Sequence, residues 1–134
     1  MSKRIIFIRC VLWFGVVADF LNVLAYCFPQ MSVGIFGGDV GRITPFTRYA
    51  LAHAAVLMGA WTLLLVWTDR RPIERRGVML LTVPIALGIF GSFCYLLTEG
   101  ILSGAATAML AAPLVTAGLF LAAYLLSRTI DQSA

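Results

Sequence analysis

Asp19 is the residue of this sequence whose type and position most clearly point to chemistry. It lies inside a long apolar stretch, where an ionised carboxylate costs about 2.5–3.5 kcal/mol near the centre of a membrane-spanning helix. Such a group needs a partner or a proton. Gly15, Asp19, Asn22 and Tyr26 are spaced by four, three and four residues, so we expect all four residues to share one inward-facing side of a helix.

His53, the single histidine, is the expected companion of Asp19. At about 1.5 Å per residue, Asp19 lies roughly 13 Å along its helix from Phe28, and His53 lies about 9 Å from Thr47. The two side chains can therefore share a depth if their helices are neighbours. An aspartate beside a histidine can relay protons, orient a water molecule or hold a cation. The sequence predicts an outward-facing polar cluster of Asp19, Asn22, Tyr26, Arg48 and His53. The alternative is a structural bond that fixes two helices in register.

The cysteines and short motifs point away from metal and cofactor chemistry. Cys10, Cys27 and Cys94 form neither a Cys-x-x-Cys pair nor a Cys/His spacing typical of zinc or an iron–sulfur cluster. Cys27 and Cys94 approach the same predicted membrane boundary, so a disulfide between them is an alternative to free thiols. The sequence has no nucleophile elbow, zinc-protease helix or phosphate loop. We therefore expect no metal and no cofactor, and favour a non-enzymatic activity.

The elements that carry these residues are predicted to be membrane helices. The chain has 134 residues, of which 61% are hydrophobic and 12% charged, whereas soluble domains have about 25% charged residues. Its mean hydropathy is +0.96. A spanning helix needs about 20 mostly apolar residues, and the stretches of that length lie at about 5–28, 47–67, 77–97 and 102–126. The sequence thus predicts one all-α membrane domain over residues 1–134, an antiparallel bundle of four transmembrane helices.

The basic residues predict the orientation of this bundle. Most of them fall on the side of the two termini: Lys3, Arg4, Arg9, Arg70, Arg71, Arg75, Arg76 and Arg128. Because cytoplasmic ends and short loops retain lysine and arginine, we expect both termini on the cytoplasmic side of the membrane. Arg70, Arg71, Arg75 and Arg76 are the predicted anchors to the inner lipid surface. The net charge of +4 then reflects topology, and we exclude a nucleic-acid partner.

Small residues recur at helical spacing in the later segments. They are Ala52, Ala55, Gly59 and Thr62 in the second, Pro84, Gly88 and Gly91 in the third, and Gly104, Ala108, Ala112 and Thr116 in the fourth. Membrane helices associate through close packing of small residues. We expect these faces to be helix contacts within the chain, in a homo-oligomer or in a larger membrane complex.

The central segment carries a family resemblance. Residues 59–78 read GAWTLLLVWTDRRPIERRGV, and residues 18–22 read ADFLN ahead of Phe28 and Pro29. These stretches resemble a family of small bacterial four-helix integral membrane proteins of unassigned function. The resemblance implies the same topology, in the inner membrane of a bacterium, and no particular activity.

The predicted function is therefore a non-enzymatic one. We expect a binder of, or conduit for, a small solute, ion or lipid, with an outward-facing polar pocket in a bilayer. One alternative is an accessory subunit that docks on a larger membrane complex. A second is a membrane enzyme that uses Asp19 and His53 as an acid–base pair.

Overall fold

The computed structural model describes residues 3–35, 41, 43–100 and 110–131. Within these residues the chain forms helices and no strand. The helices are α1 (Lys3–Cys27), α2 (Pro29–Ile35), α3 (Pro45–Asp69), α4 (Gly77–Thr98) and α5 (Ala111–Asp131). α1, α3, α4 and α5 are each long and apolar enough to cross a membrane, so the all-helical class is confirmed and the four long helices suit a multi-pass membrane protein.

Proline and threonine define where the first helices end and begin. α1 stops before Pro29, and Pro29 is the first residue of the short helix α2. Proline suits this position, because the backbone N–H that it lacks would have no acceptor within the helix. The stretch between the predicted spanning segments 5–28 and 47–67 therefore starts as a helix. α3 starts at Pro45, two residues before its predicted start, because the Thr44 side chain caps it by accepting a hydrogen bond from the Thr47 backbone N–H at 3.1 Å.

α4 has almost the predicted bounds, whereas the end of α5 differs from the prediction. α4 ends at Thr98, and Gly100 follows with a φ of +67°, a left-handed conformation that glycine adopts without strain. α5 continues to Asp131, beyond the predicted end at 126. The predicted start of this segment at 102 lies outside the described residues.

α1 is the central helix of the bundle. It packs most extensively against α3 and also against α5, whereas α4 packs mainly against α5. α3 and α4 are consecutive in the chain but scarcely touch. Arg9 of α1 links to the end of α3, its Nε donating to Asp69 Oδ1 at 3.1 Å. The spatial order is therefore α3, α1, α5, α4.

The buried core lies near one end of this arrangement. It comprises Ile8, Val11, Leu12, Leu65, Val78, Met79, Phe120 and Ala123. These residues belong to the first half of α1, the last part of α3, the first turns of α4 and the second half of α5. A Cβ at Gly15 would lie 2.6 Å from Phe120 Cζ, so glycine is what allows the Phe120 ring to approach α1.

The structure buries part of one predicted small-residue face and leaves another exposed. On α3, Ala55 and Thr62 are buried, as expected for a helix contact. On α4, Pro84, Gly88 and Gly91 are exposed, and a Cβ at either glycine would meet nothing within 4 Å. This face has no contact inside the described part of the chain, because α4 turns a different side toward α5. Gly104 and Ala108 lie outside the described residues.

Candidate functional site

The candidate site is a cavity of about 300 Å³ that adjoins the buried core and is lined mainly by α1, α4 and α5. We call it the inner cavity. Gly15, Leu65 and Phe120 line it and also meet one another where the helices pack tightly. α1 and α4 both line the cavity but scarcely touch each other. The cavity therefore occupies a gap that the packing of both helices on α5 leaves open.

Asp19 is the charged residue of the inner cavity. Its side chain is half-buried and lines the cavity together with Asn22 and Tyr26, as the spacing along α1 predicts. Among the described residues, no lysine, arginine or histidine lines the cavity. Within the described part of the chain, the Asp19 carboxylate takes part in no hydrogen bond or ion pair. The carboxylate thus faces the cavity without a counter-charge from the part of the chain that the structure describes.

Two threonines add oxygen atoms to the opposite side of the inner cavity. Thr82 of α4 and Thr116 of α5 both line it. The Thr82 hydroxyl donates to the Val78 carbonyl oxygen at 2.9 Å. The Thr116 hydroxyl donates to the Ala112 carbonyl oxygen at 2.9 Å. Each hydroxyl proton is used within its own helix, so each oxygen has only acceptor capacity left for a ligand.

A second cavity, of about 690 Å³, lies between α1, α2 and α3. We call it the outer cleft. Arg48 lines it together with Gln30 and Ala52. Tyr26 lines both the outer cleft and the inner cavity. Arg48 therefore lines the outer cleft and not the inner cavity. Tyr26 is a residue that the two cavities share.

The structure does not bring His53 into this site. His53 is exposed, its Nδ1 lies 3.1 Å from the Tyr49 carbonyl oxygen, and its ring centroid is 4.1 Å from that of Tyr49. It lines neither the inner cavity nor the outer cleft. The pairing of His53 with Asp19 is predicted from their similar depths in the membrane. Contact also depends on how α3 is rotated about its own axis. Arg48, Ala52, Ala55 and Val56 are described residues of α3 that line the cleft, and His53 is turned by about 100° from Ala52.

The predicted inner-surface arginines lie at the end of α3 and in the turn before α4. Arg75 stacks on Trp67 with its Cζ atom 3.6 Å from the ring centroid, and it also donates to the Trp67 carbonyl oxygen. Arg71 pairs with the exposed Glu74 at 3.2 Å. The remaining two members of this group are the exposed Arg70 and the partly buried Arg76. The turn is thus held by contacts between its own side chains and Trp67.

Arg9 has a role that the basic-residue pattern alone does not reveal. The pattern explains Arg9 only as a topology signal, although it interrupts an apolar stretch. In the structure it pairs with Asp69 and also donates to the Asp69 carbonyl oxygen at 3.3 Å. A signal for this pair exists in the sequence, because Asp69 ends the next apolar stretch on the same predicted side of the membrane.

The cysteines are free thiols at Cys10, Cys27 and Cys94, so the alternative of a Cys27–Cys94 disulfide is not formed. Among the described residues, no group of three or more histidine, cysteine or acidic side chains is placed to hold a metal ion.

Comparison with known proteins adds no further constraint on the site. The chain matches no family model, no curated protein and no solved structure. The resemblance of residues 59–78 to a family of small bacterial membrane proteins stays a prediction.

Proposed function

We propose that this protein is a multi-pass protein of the bacterial inner membrane that binds or passes a small solute, ion or lipid through the inner cavity, without catalysing a reaction. The observation that carries the proposal is the Asp19 carboxylate, which lines a cavity between membrane helices with no ion pair or hydrogen bond from the described chain. Ionisable residues inside membrane segments are energetically unfavourable, and they usually bind a ligand or an ion or transfer a proton. The carboxylate is accounted for if a bound solute supplies its partner.

The proposed topology is an antiparallel bundle with both termini in the cytoplasm. Arg9 near the start of α1 pairs with Asp69 at the end of α3. Tyr26 near the end of α1 shares the outer cleft with Arg48 near the start of α3. These contacts support opposite directions for α1 and α3. With the arginine-rich turn inside, the buried core lies toward the cytoplasm and the outer cleft toward the outside.

A catalytic role has less support than binding. The enzyme alternative needs Asp19 and a base within hydrogen-bond reach of one substrate. His53 is turned to the surface of α3 and contacts Tyr49 instead. The geometry therefore favours a binder or conduit over acid–base catalysis.

Cysteine accessibility tests the proposal. In a background with alanine at Cys10, Cys27 and Cys94, Thr116→Cys places a thiol in the inner cavity. Val115→Cys is the matched control, because Val115 is the preceding residue of α5, is 54% exposed and does not line the cavity. The reagent is a membrane-impermeant, trimethylammonium-bearing methanethiosulfonate added to the outside of intact cells.

We expect the thiol at position 116 to react at least about tenfold faster than the thiol at 115, because only a hydrated thiol ionises to the reactive thiolate. Equal, slow rates at both positions would refute an accessible polar cavity. Faster reaction at 116 only in inside-out vesicles would keep the cavity and overturn the proposed orientation.

A second candidate function is that of an accessory subunit. The specific observation is the exposed small-residue face of α4 at Pro84, Gly88 and Gly91, which suits close packing of another membrane helix. Docking on a larger membrane protein predicts that Gly88→Leu releases that partner in native mass analysis in mild detergent while the labelling of Thr116→Cys is unchanged. A partner that stays bound in Gly88→Leu, or a particle that is a lone monomer in both proteins, would count against this candidate.

A further inference from the structure

We propose that the ligand of the inner cavity is a small amphipathic ammonium compound, with N–H donors at its charged end and an apolar body. This inference rests on the proposed binding function and names the chemical class that the cavity selects. Three properties of the cavity wall carry it: its charge, its hydrogen-bonding capacity and its aromatic side chains.

The charge of the wall is negative and uncompensated. Among the described residues, Asp19 is the single ionisable acid or base of the lining apart from the Tyr26 phenol. Two arginines on the neighbouring helices are placed elsewhere, since Arg9 pairs with Asp69 and Arg48 lines the outer cleft. A carboxylate that is partly removed from water is stabilised by a cation and repels an anion. The cavity therefore favours a positively charged ligand.

The hydrogen-bonding capacity of the wall consists largely of acceptors. The Asp19 carboxylate accepts only, and the Thr82 and Thr116 hydroxyls have already donated their protons to helix carbonyl oxygens. Asn22 and Tyr26 can both donate and accept. A ligand must therefore bring donors, and a primary or secondary ammonium group supplies donors and positive charge on one atom. A quaternary ammonium supplies the charge without the donors.

The remaining wall is apolar and partly aromatic. Phe14, Phe93, Phe120 and Tyr26 line the cavity. Aromatic rings pack well against flat apolar groups, and their faces attract cations. The volume of about 300 Å³ corresponds to about ten water molecules at ~30 Å³ each. The cavity thus suits a compound the size of a phenylalkylamine.

A bare metal ion and a neutral lipid chain fit this wall less well. A hard cation needs several oxygen ligands, whereas the described residues place one carboxylate in the cavity lining and hold no cluster of metal-ligating side chains. A hydrocarbon chain would leave the Asp19 carboxylate without a partner. An ammonium group can come from a soluble amine or from the headgroup of phosphatidylethanolamine, and both sources present the same N–H donors.

The experiment measures protection of Thr116→Cys in phosphatidylcholine vesicles, whose headgroups have no N–H donor. The competitor is 2-phenylethylammonium, and its matched analogues are neutral 2-phenylethanol, anionic 3-phenylpropionate and trimethyl-(2-phenylethyl)ammonium. We expect the primary amine to halve the labelling rate at a concentration roughly tenfold to a hundredfold below the alcohol, as hydrogen bonds to charged groups predict. The quaternary amine should fall between them, and the anion should give no protection.

Asp19→Asn tests the origin of this preference, because it removes the charge and preserves the shape of the side chain. We expect the amine and the alcohol to protect this variant equally. The control is Glu99→Gln, which removes an exposed carboxylate at the end of α4 and should leave the preference unchanged. Equal protection by amine and alcohol in the parent, or a preference that persists in Asp19→Asn, would overturn the ammonium assignment.

This outcome is separable from failure of the proposed function. If Thr116→Cys reacts faster than Val115→Cys but the amine gives no selective protection, the accessible cavity stands and the ligand class is wrong. A final arm replaces part of the phosphatidylcholine with phosphatidylethanolamine. Slower labelling without added amine identifies the lipid headgroup as the source of the ammonium group, whereas an unchanged rate identifies a soluble amine. This arm is interpreted only if the primary amine has protected the thiol better than the alcohol.

Discussion

Gly15→Ala should destabilise the bundle, because the Phe120 ring of α5 lies against the backbone of α1 at Gly15. A Cβ at this position would lie 2.6 Å from Phe120 Cζ and 3.1 Å from Leu65 Cδ1, compared with 3.4–4 Å for ordinary contacts. Phe120 and Leu65 have no exposed surface, so neither side chain can move into solvent. The added methyl group must therefore shift the Phe120 ring or separate the two helices.

The size of the effect follows from two opposing terms. Overpacking of a tight core costs typically about 1–3 kcal/mol, and an overlap of about 1 Å with a fully buried ring belongs at the upper end of that range. Alanine is favoured over glycine inside a helix by about 1 kcal/mol. We therefore expect Gly15→Ala to lower the free energy of unfolding by about 2 kcal/mol.

The measurement is equilibrium unfolding in detergent, followed by tryptophan fluorescence. Gly118→Ala on α5 is the matched control, because a Cβ there meets nothing within 4 Å, and it should be neutral or stabilising by up to about 1 kcal/mol. The double variant Gly15→Ala with Phe120→Leu shortens the clashing side chain and should show a favourable coupling of about 1 kcal/mol. A Gly15→Ala protein as stable as the parent, or additive effects in the double variant, would contradict the close approach described here.

Three further outcomes follow from the same contacts. A double-mutant cycle with Arg9→Gln and Asp69→Asn should give a coupling of about 1 kcal/mol or less, because the Arg9 side chain is 40% exposed; no coupling in unfolding experiments would mean that the pair does not join α1 to α3. His53→Ala should leave the labelling rate of Thr116→Cys unchanged, and a large change in that rate would restore the pairing with Asp19. Asp19→Asn should raise the free energy of unfolding by about 1–3 kcal/mol, since the charge in the membrane segment is removed, and a less stable variant would indicate a structural bond at Asp19.

The membrane class and the approximate positions of the long helices were predictable from the sequence. Uninterrupted apolar stretches and the charged turn after α3 are local properties, and they set where a helix can lie in a bilayer. Helix ends were less predictable. Pro29 opens a new helix, and α5 extends to Asp131, because caps and tertiary contacts extend a helix beyond its apolar stretch.

The candidate site was predictable in part. Asp19, Asn22 and Tyr26 lie on one helix at fixed spacing, so their common wall of the inner cavity follows from helix geometry alone. Arg48 and His53 lie on another helix, and their relation to Asp19 depends on how α3 is rotated about its axis. That rotation depends on the packing of residues such as Ala55 against α1, which no spacing within α3 determines.

The sequence by itself determined that this chain crosses a membrane as several helices and that one helix carries a polar side with a carboxylate. Both follow from composition and from the 3.6-residue period, which act within a single segment. Only the tertiary structure decided that α5 separates α1 from α4, that the resulting gap is a cavity at Asp19, and that no histidine lines it. These features depend on which side chains fit between helices, as Phe120 fits against Gly15. Such fits join residues far apart in the chain, because close packing is a property of the assembled helices.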